Sequence, residues 1–162
     1  MFNGMDVEEL NDDIDMFKQN PTKCQIAQKI TAEWMGGYRS KVSAGNKELL
    51  IGGDENFSPM AATHASLLSC EITVIAMHAT LRGIELERIY IESEGNFDIS
   101  RLYTVDNEPN PGFQNFNYTV KIKAKNATPD QLTELVKLCE THSPVADTIE
   151  SQVPINLKFE IE

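Results

Sequence analysis

Two thiols stand out among the residues able to do chemistry. Cys70 lies in the middle of a long apolar stretch, and Cys139 lies shortly before Ser143-Pro144-Val145. A thiolate is a nucleophile that oxidises reversibly to a sulfenic acid, and a second thiol can convert that acid to a disulfide. A pair of cysteines placed in this way points to thiol redox chemistry. The third, Cys24, falls on the apolar side of an alternating segment and reads as a small hydrophobe.

Reactivity requires the thiolate. Cys70 is too deep in its stretch to feel a helix N-terminus, and apolar surroundings disfavour charge on sulfur. A cation must compensate. Arg39, with Lys41 beside it, is the best placed; Arg82 and Arg101 are harder to place. Arginine stays charged when desolvated and can hold a second group in its fork. On a helix, Ser66, Leu67, Thr73 and Val74 share the face of Cys70. His64, six residues away, points elsewhere, which argues against a Cys70–His64 dyad. Cys70, Cys139, His142 and His64 have the ligand types of a zinc site, but they contain no closely spaced pair. His142 reads as a cation completing a helix C-terminus, or as an aid to thiol exchange at Cys139. No cofactor and no metal are expected.

The elements that must position these groups follow from pattern. Ser58-Pro59 is a helix start, with an N-cap hydroxyl and a proline at the first helical position. Gly83 is the matching stop. Between them the chain is apolar nearly all round, which predicts a central helix buried on most sides. A membrane span is possible by length, but His64, Cys70, Glu71 and His78 interrupt it, so a core helix is expected. Upstream, Val7, Leu10, Ile14 and Phe17 recur at helical spacing over Asp6 to Asn20, and Pro21 ends that helix. Cys24 to Trp34 alternates as a strand, Gly36-Gly37 turns, and strands Tyr38 to Ala44 and Lys47 to Ile51 complete a meander.

Downstream, a strand over Glu87 to Glu94 is followed by a loop, Asn96 to Gly112, and a clearly alternating strand, Phe116 to Ala124. Thr128-Pro129-Asp130-Gln131 is a capping box opening a helix that ends at Cys139. Ser143-Pro144 starts a short turn to Ile149. Pro154 leads into a last strand with Ile155, Leu157, Phe159 and Ile161 on one face. The expected class is α+β: a mostly antiparallel sheet, a long buried central helix and a second principal helix. One domain over residues 1–162 is expected, with 1–21 as an extra N-terminal helix.

The chain has 162 residues, 41% hydrophobic and 24% charged, with 25 acidic against 14 basic side chains and a net charge of −11. That balance argues against nucleic acid or an anionic membrane surface as partner. The N-terminal residues show no basic and apolar regions of a signal peptide. Three cysteines fit no secretory disulfide framework. A cytoplasmic location is expected, where a cysteine pair is more often redox-active than structural. A competing reading is a dimeric binding module whose apolar pocket uses Phe57, Trp34, Tyr38, Met60 and Met77, although plain core packing explains such residues equally well.

Pro59 eleven positions before Cys70, Gly52-Gly53 upstream, and Cys139 followed by Ser143-Pro144-Val145 together resemble the OsmC/Ohr family over about Lys23 to Glu162. The resemblance implies a thiol-dependent peroxidase for organic hydroperoxides, working as an intertwined homodimer with active sites at the subunit interface. It implies that Cys70 is the peroxidatic thiol, Cys139 the resolving thiol, Arg39 the activating cation, and a cellular dithiol the reductant. Met60 stands where the best-characterised branch has a glutamate, and three residues separate Cys139 from Ser143 where that branch has proline directly after the cysteine. The alternative is a dimeric small-molecule-binding or redox-sensing protein of the same fold, without efficient turnover.

Overall fold

The computed structural model describes residues 1–151 and 153–161. Its centre is helix α2, Pro59–Leu81, capped by the Ser58 hydroxyl, which accepts from the Ala61 N–H. Before it come helix α1, Val7–Gln19, a 3₁₀ turn over Pro21–Cys24, and strands β1, Thr31–Trp34, β2, Ser40–Ala44, and β3, Lys47–Ile51. After it come β4, Leu86–Phe97, β5, Phe113–Ala124, and helices α3, Pro129–Lys137, α4, Cys139–His142, and α5, Pro144–Glu150.

The strands form two separate antiparallel sheets, β1-β2-β3 and β4-β5, where the pattern predicts one. The β4-β5 ribbon is the longer. Val120, Ile122 and Ala124 of β5 are half-buried, while Lys121 and Lys123 between them are exposed. This alternation places one face on α2. Val74, Ile75 and Cys139 pack with Ile89, Val120, Ile122, Val136 and Leu138. Next to them, Ala79, Ile84 and Leu135 pack with Leu86, Ala124 and Leu132. The capping box at Thr128 and Gln131 forms as expected. Asn3 ties the N-terminus to the α2–β4 corner: its amide donates to Ile84 O at 2.8 Å, and its carbonyl oxygen accepts from Leu86 N at 2.9 Å.

Four expectations are corrected. First, α2 is not buried on most sides within one chain. Its buried residues, Leu67, Glu71, Val74, Ile75, Ala79 and Thr80, make a single stripe, and Ile72 opposite is exposed. The helix is long and apolar enough to cross a membrane by length and composition, but here it lies against β4, α3, α4 and α5. Second, Cys24 is exposed in the 3₁₀ turn and not on a strand. Thr31 already pairs with Ser43, next to the Gly45 turn, so residues upstream of β1 have almost no partner strand left. Third, the expected last strand does not form: residues 153–161 join no sheet, and Ile155, Leu157, Phe159 and Ile161 are all exposed. An alternating apolar segment becomes a strand only by pairing, and it pairs with none of the open edges of the two sheets. Fourth, Trp34, Tyr38 and Phe57 stand exposed, so they are neither core nor the walls of one apolar pocket.

The whole chain has a solvent-accessible surface of 12716 Å². A compact monomer of 18.1 kDa would show about 8,100 Å². The excess lies in the β1-β3 sheet, the tail and the outer face of α2.

Gly52 closes the β2-β3 end, at φ +84, where an added Cβ would stand 1.8 Å from the Tyr38 carbonyl oxygen. Gly52→Ala therefore lowers the unfolding free energy by about 2 kcal/mol or more, read by urea denaturation. Gly112→Ala, where a Cβ meets nothing within 4 Å, leaves it unchanged.

Candidate functional site

Cys70 sits midway along α2, partly buried. Cys139 opens α4, because α3 stops at Lys137 and the chain makes a new turn. Leu138 and Cys139 then point into the core that α2 completes. The Cys139 thiol donates to the backbone carbonyl of Glu71 at 3.7 Å, the residue next to Cys70. From the same turn Ser143 reaches back. Its hydroxyl donates to Cys70 Sγ at 3.3 Å and accepts from Ala146 N at 3.2 Å, so one side chain caps α5 and touches the sulfur. A hydroxyl aimed at a sulfur can stabilise negative charge on it. The two cysteines are thus brought to the same contact between α2 and the α4–α5 turn, both as free thiols.

Burial pushes the Cys139 thiol well above its ordinary range, and the negative charge of nearby Glu71 pushes it further. Glu71 is itself fully buried, and neither carboxylate oxygen has a hydrogen-bond partner among the described residues. Tyr118 of β5 faces the same negative region. Burial first, then the charges of Glu71 and Cys139, hold its phenol above the usual value. An open cavity of about 420 Å³ begins one turn from Cys70, lined by Leu67, Phe113, Phe116, Tyr118, Ala146 and Ile149.

Arg39 is not part of this cluster within one chain. It is exposed on the β1-β2 hairpin, its stem packed over Gly53 and its surroundings Asp54 and Glu55. His64 faces β4, where Nε2 pairs with Ser93 Oγ at 2.7 Å and the ring meets Phe113 and Phe116. His142 packs edge-on to His78, ring centroids 5.0 Å apart. Cys70, Cys139, His142 and His64 are therefore not gathered at one point, and no group of three or more His, Cys, Asp or Glu among the described residues could hold a metal ion.

Sequence reasoning treated Ser143 only as a cap and Glu71 only as an interruption. The signal for Glu71 was present: it is the one carboxylate between Pro59 and Leu81. Nothing in the spacing tells which way it points.

Residues 52–158 match the family model described as OsmC-like protein. The chain belongs to the OsmC-like family. No curated protein sequence matches it. Its fold is similar to an OsmC-like protein from Mycoplasma pneumoniae, with a TM-score of 0.65 at 16% identity over 78% of this chain and 89% of that one. It is similar to an OsmC-like protein from Vibrio cholerae, with a TM-score of 0.63 at 13% identity over 79% and 96%. It is also similar to a Legionella pneumophila protein described as an organic hydroperoxide resistance protein OsmC, with a TM-score of 0.53 at 18% identity over 77% and 90%. At these identities the likeness establishes the OsmC-like α+β fold. The matched segment contains α2, both β4-β5 strands and the α3–α5 turn that carry Cys70, Cys139 and Ser143.

Two outcomes follow from the geometry. The folded state favours the neutral Cys139 thiol, so its stabilisation is complete below the unfolded thiol's value of 9.0 and is lost as pH rises above it. The unfolding free energy falls by about 1.4 kcal/mol per pH unit there, and Cys139→Ala flattens that slope relative to the parent in urea titrations. Ser143→Ala loses about 1 kcal/mol through the cap, and it slows iodoacetamide alkylation of Cys70 at neutral pH.

Proposed function

We propose that this OsmC-like protein is a cysteine peroxidase of the peroxide-resistance type, working in the reducing cytoplasm as a homodimer. The observation that carries this reading is the convergence of both thiols on one contact between α2 and the α4–α5 turn. Cys139 bonds to the carbonyl that follows Cys70, and Ser143, on the turn after Cys139, bonds to the Cys70 sulfur. A Cys70 thiolate attacks the outer oxygen of a hydroperoxide; the O–O bond breaks, the alcohol leaves, and Cys70 becomes a sulfenic acid. Cys139 condenses with it to a disulfide, releasing water, and a dithiol regenerates both by exchange. The aromatic cavity beside Leu67 suits an organic hydroperoxide with an apolar body.

The homodimer reading rests on surface that one chain leaves open. The alternating apolar tail, with Ile155, Leu157, Phe159 and Ile161, has no strand to pair with, and the outer face of α2 is a helix face without a cover. A second copy supplies both and reduces the surface excess. In that assembly Arg39 of the partner subunit would supply the cation that Cys70 lacks within its own chain. A second reading, a redox sensor with slow turnover, is favoured by one observation: Cys139 is 2% exposed, and that burial raises its thiol, which slows resolution.

The test is thiol counting. Reduced protein treated with cumene hydroperoxide loses two thiols per chain, Cys70→Ser consumes no peroxide, Cys24→Ser behaves as the parent, and Arg39→Ala slows the first step at least tenfold. Light scattering gives twice 18.1 kDa. A Cys70→Ser protein that consumed peroxide at the parent rate would refute the assignment. Fast multiple turnover with a dithiol separates the peroxidase from the sensor.

A further inference from the structure

The cavity beside Leu67 has apolar walls and one acidic end. Its walls come from α2, β5 and α5, with Phe113, Phe116 and Tyr118 as the aromatic side. Three further residues line it, Gln114, Asn115 and Glu150. Among the described residues Glu150 is the one charged group on the cavity, and no lysine, arginine or histidine lines it. The Asn115 oxygen accepts from the side-chain amides of Asn96 and Asn117, at 3.0 and 3.4 Å, which leaves its own N–H groups to offer a guest. A neutral amide can bond an ester or a hydroxyl, but it brings no charge to offset a carboxylate.

Helix α5 sets the distance between the sulfur and this charge. At its start the Ser143 hydroxyl donates to Cys70 Sγ at 3.3 Å and accepts from Ala146 N. Ala146 is a cavity wall one turn on, and the helix ends at Glu150. From Ser143 to Glu150 a helix rises about 10 Å. A molecule lying along this wall with its reactive end at Cys70 puts its far end beside Glu150. The neighbouring groove over α4 and α5 extends the acidic side of the mouth: Glu140, Asp147 and Glu150 line it, with His142 as its one basic group among the described residues. Like charges beside apolar walls repel more strongly than the same charges in bulk water.

We infer that Glu150 determines the specificity of this cavity, admitting hydroperoxides with a neutral apolar body and turning away those with a carboxylate at the end remote from the peroxide. This deepens the peroxidase reading and rests on Cys70 as the thiol that meets the peroxide. The aromatic walls supply affinity by burying the body of the guest. Glu150 supplies the discrimination, because two bodies of one shape are told apart by the group that only one of them carries and the site repels.

The first arm of the test uses no peroxide. Its probes are cumyl alcohol, which cumene hydroperoxide leaves behind on reduction, and the para-carboxylate of that alcohol. In the reduced parent at low salt, the methyl NMR signals of Leu67 and Ile149 shift with cumyl alcohol, and the para-carboxylate binds at least about fivefold more weakly. Glu150→Gln closes the gap, Glu150→Lys reverses it, and about 0.5 M salt narrows it in the parent. Asp12→Asn removes one charge from α1, which contributes nothing to the cavity, and leaves the gap as it is. A parent that binds both alcohols equally overturns the inference, as does a parent in which neither methyl signal shifts; these two results need no variant to fold. A gap that survives Glu150→Gln, or that Asp12→Asn also closes, overturns it as well. The second arm follows consumption of cumene hydroperoxide and of its para-carboxylate, and the ratio of the two rates tracks the binding gap. A gap set by Glu150 without consumption of either peroxide keeps the selectivity of the cavity and sinks the peroxidase. Consumption of both peroxides at one rate, by the parent and by Glu150→Gln alike, does the reverse.

Discussion

The site depends on one packing contact, the buried stripe of α2 against the β4-β5 ribbon and the α3–α5 turn. Val74 and Ile75 enter the same cluster as Cys139, and Leu135 fills the layer beside it. Each such side chain is worth about 1.5–3 kcal/mol when fully buried. Close packing leaves little freedom of register. Once Val74 and Ile75 are seated, Cys70 and Glu71, one turn earlier, are carried to the α4–α5 turn, and Cys139 and Ser143 meet them there. The chemistry of the cluster is therefore a consequence of how a core packs. No loop positions it.

The same contact makes the two thiols unequal. Cys70 is partly open and receives a hydroxyl from Ser143. Cys139 is in the core beside a carboxylate, and burial and negative charge both hold its proton in place. The two sulfurs therefore differ in access: Cys70 is partly open to an incoming molecule, and Cys139 is shielded from it. A thiol that ionised freely at both positions would be open to oxidation at both.

One chain leaves much of its apolar surface open, and the distribution is not random. The β4-β5 ribbon and α2–α5 form a packed body. The β1-β3 sheet and the tail carry Trp34, Tyr38, Leu49, Leu157 and Phe159 exposed. Apolar residues in strand-like alternation, without a strand to pair with, leave an open apolar surface. Arg39 belongs to that open part, which is why it stands apart from Cys70.

Most helices were legible from the sequence because their signals are local. Ser58-Pro59, Thr128-Pro129 and Ser143-Pro144 start α2, α3 and α5, since caps and N-terminal prolines act within one turn. The alternation of Val120 to Ala124 likewise places β5 with one face inward, and the family resemblance rests on residues that are all present in the chain. Pairing was not legible. Alternation says that a segment can be a strand, but only pairing with an edge makes it one, and residues 25–30 and the tail from Ile155 stay unpaired here. Nor did composition tell that α2 buries one stripe and not its whole circumference, because an all-apolar helix has no marked face. The direction of Glu71, the second bond of Ser143 and the suppressed ionisation of Cys139 came from tertiary structure alone. Each depends on what a side chain meets from elements some seventy residues away, and no spacing along the chain encodes that.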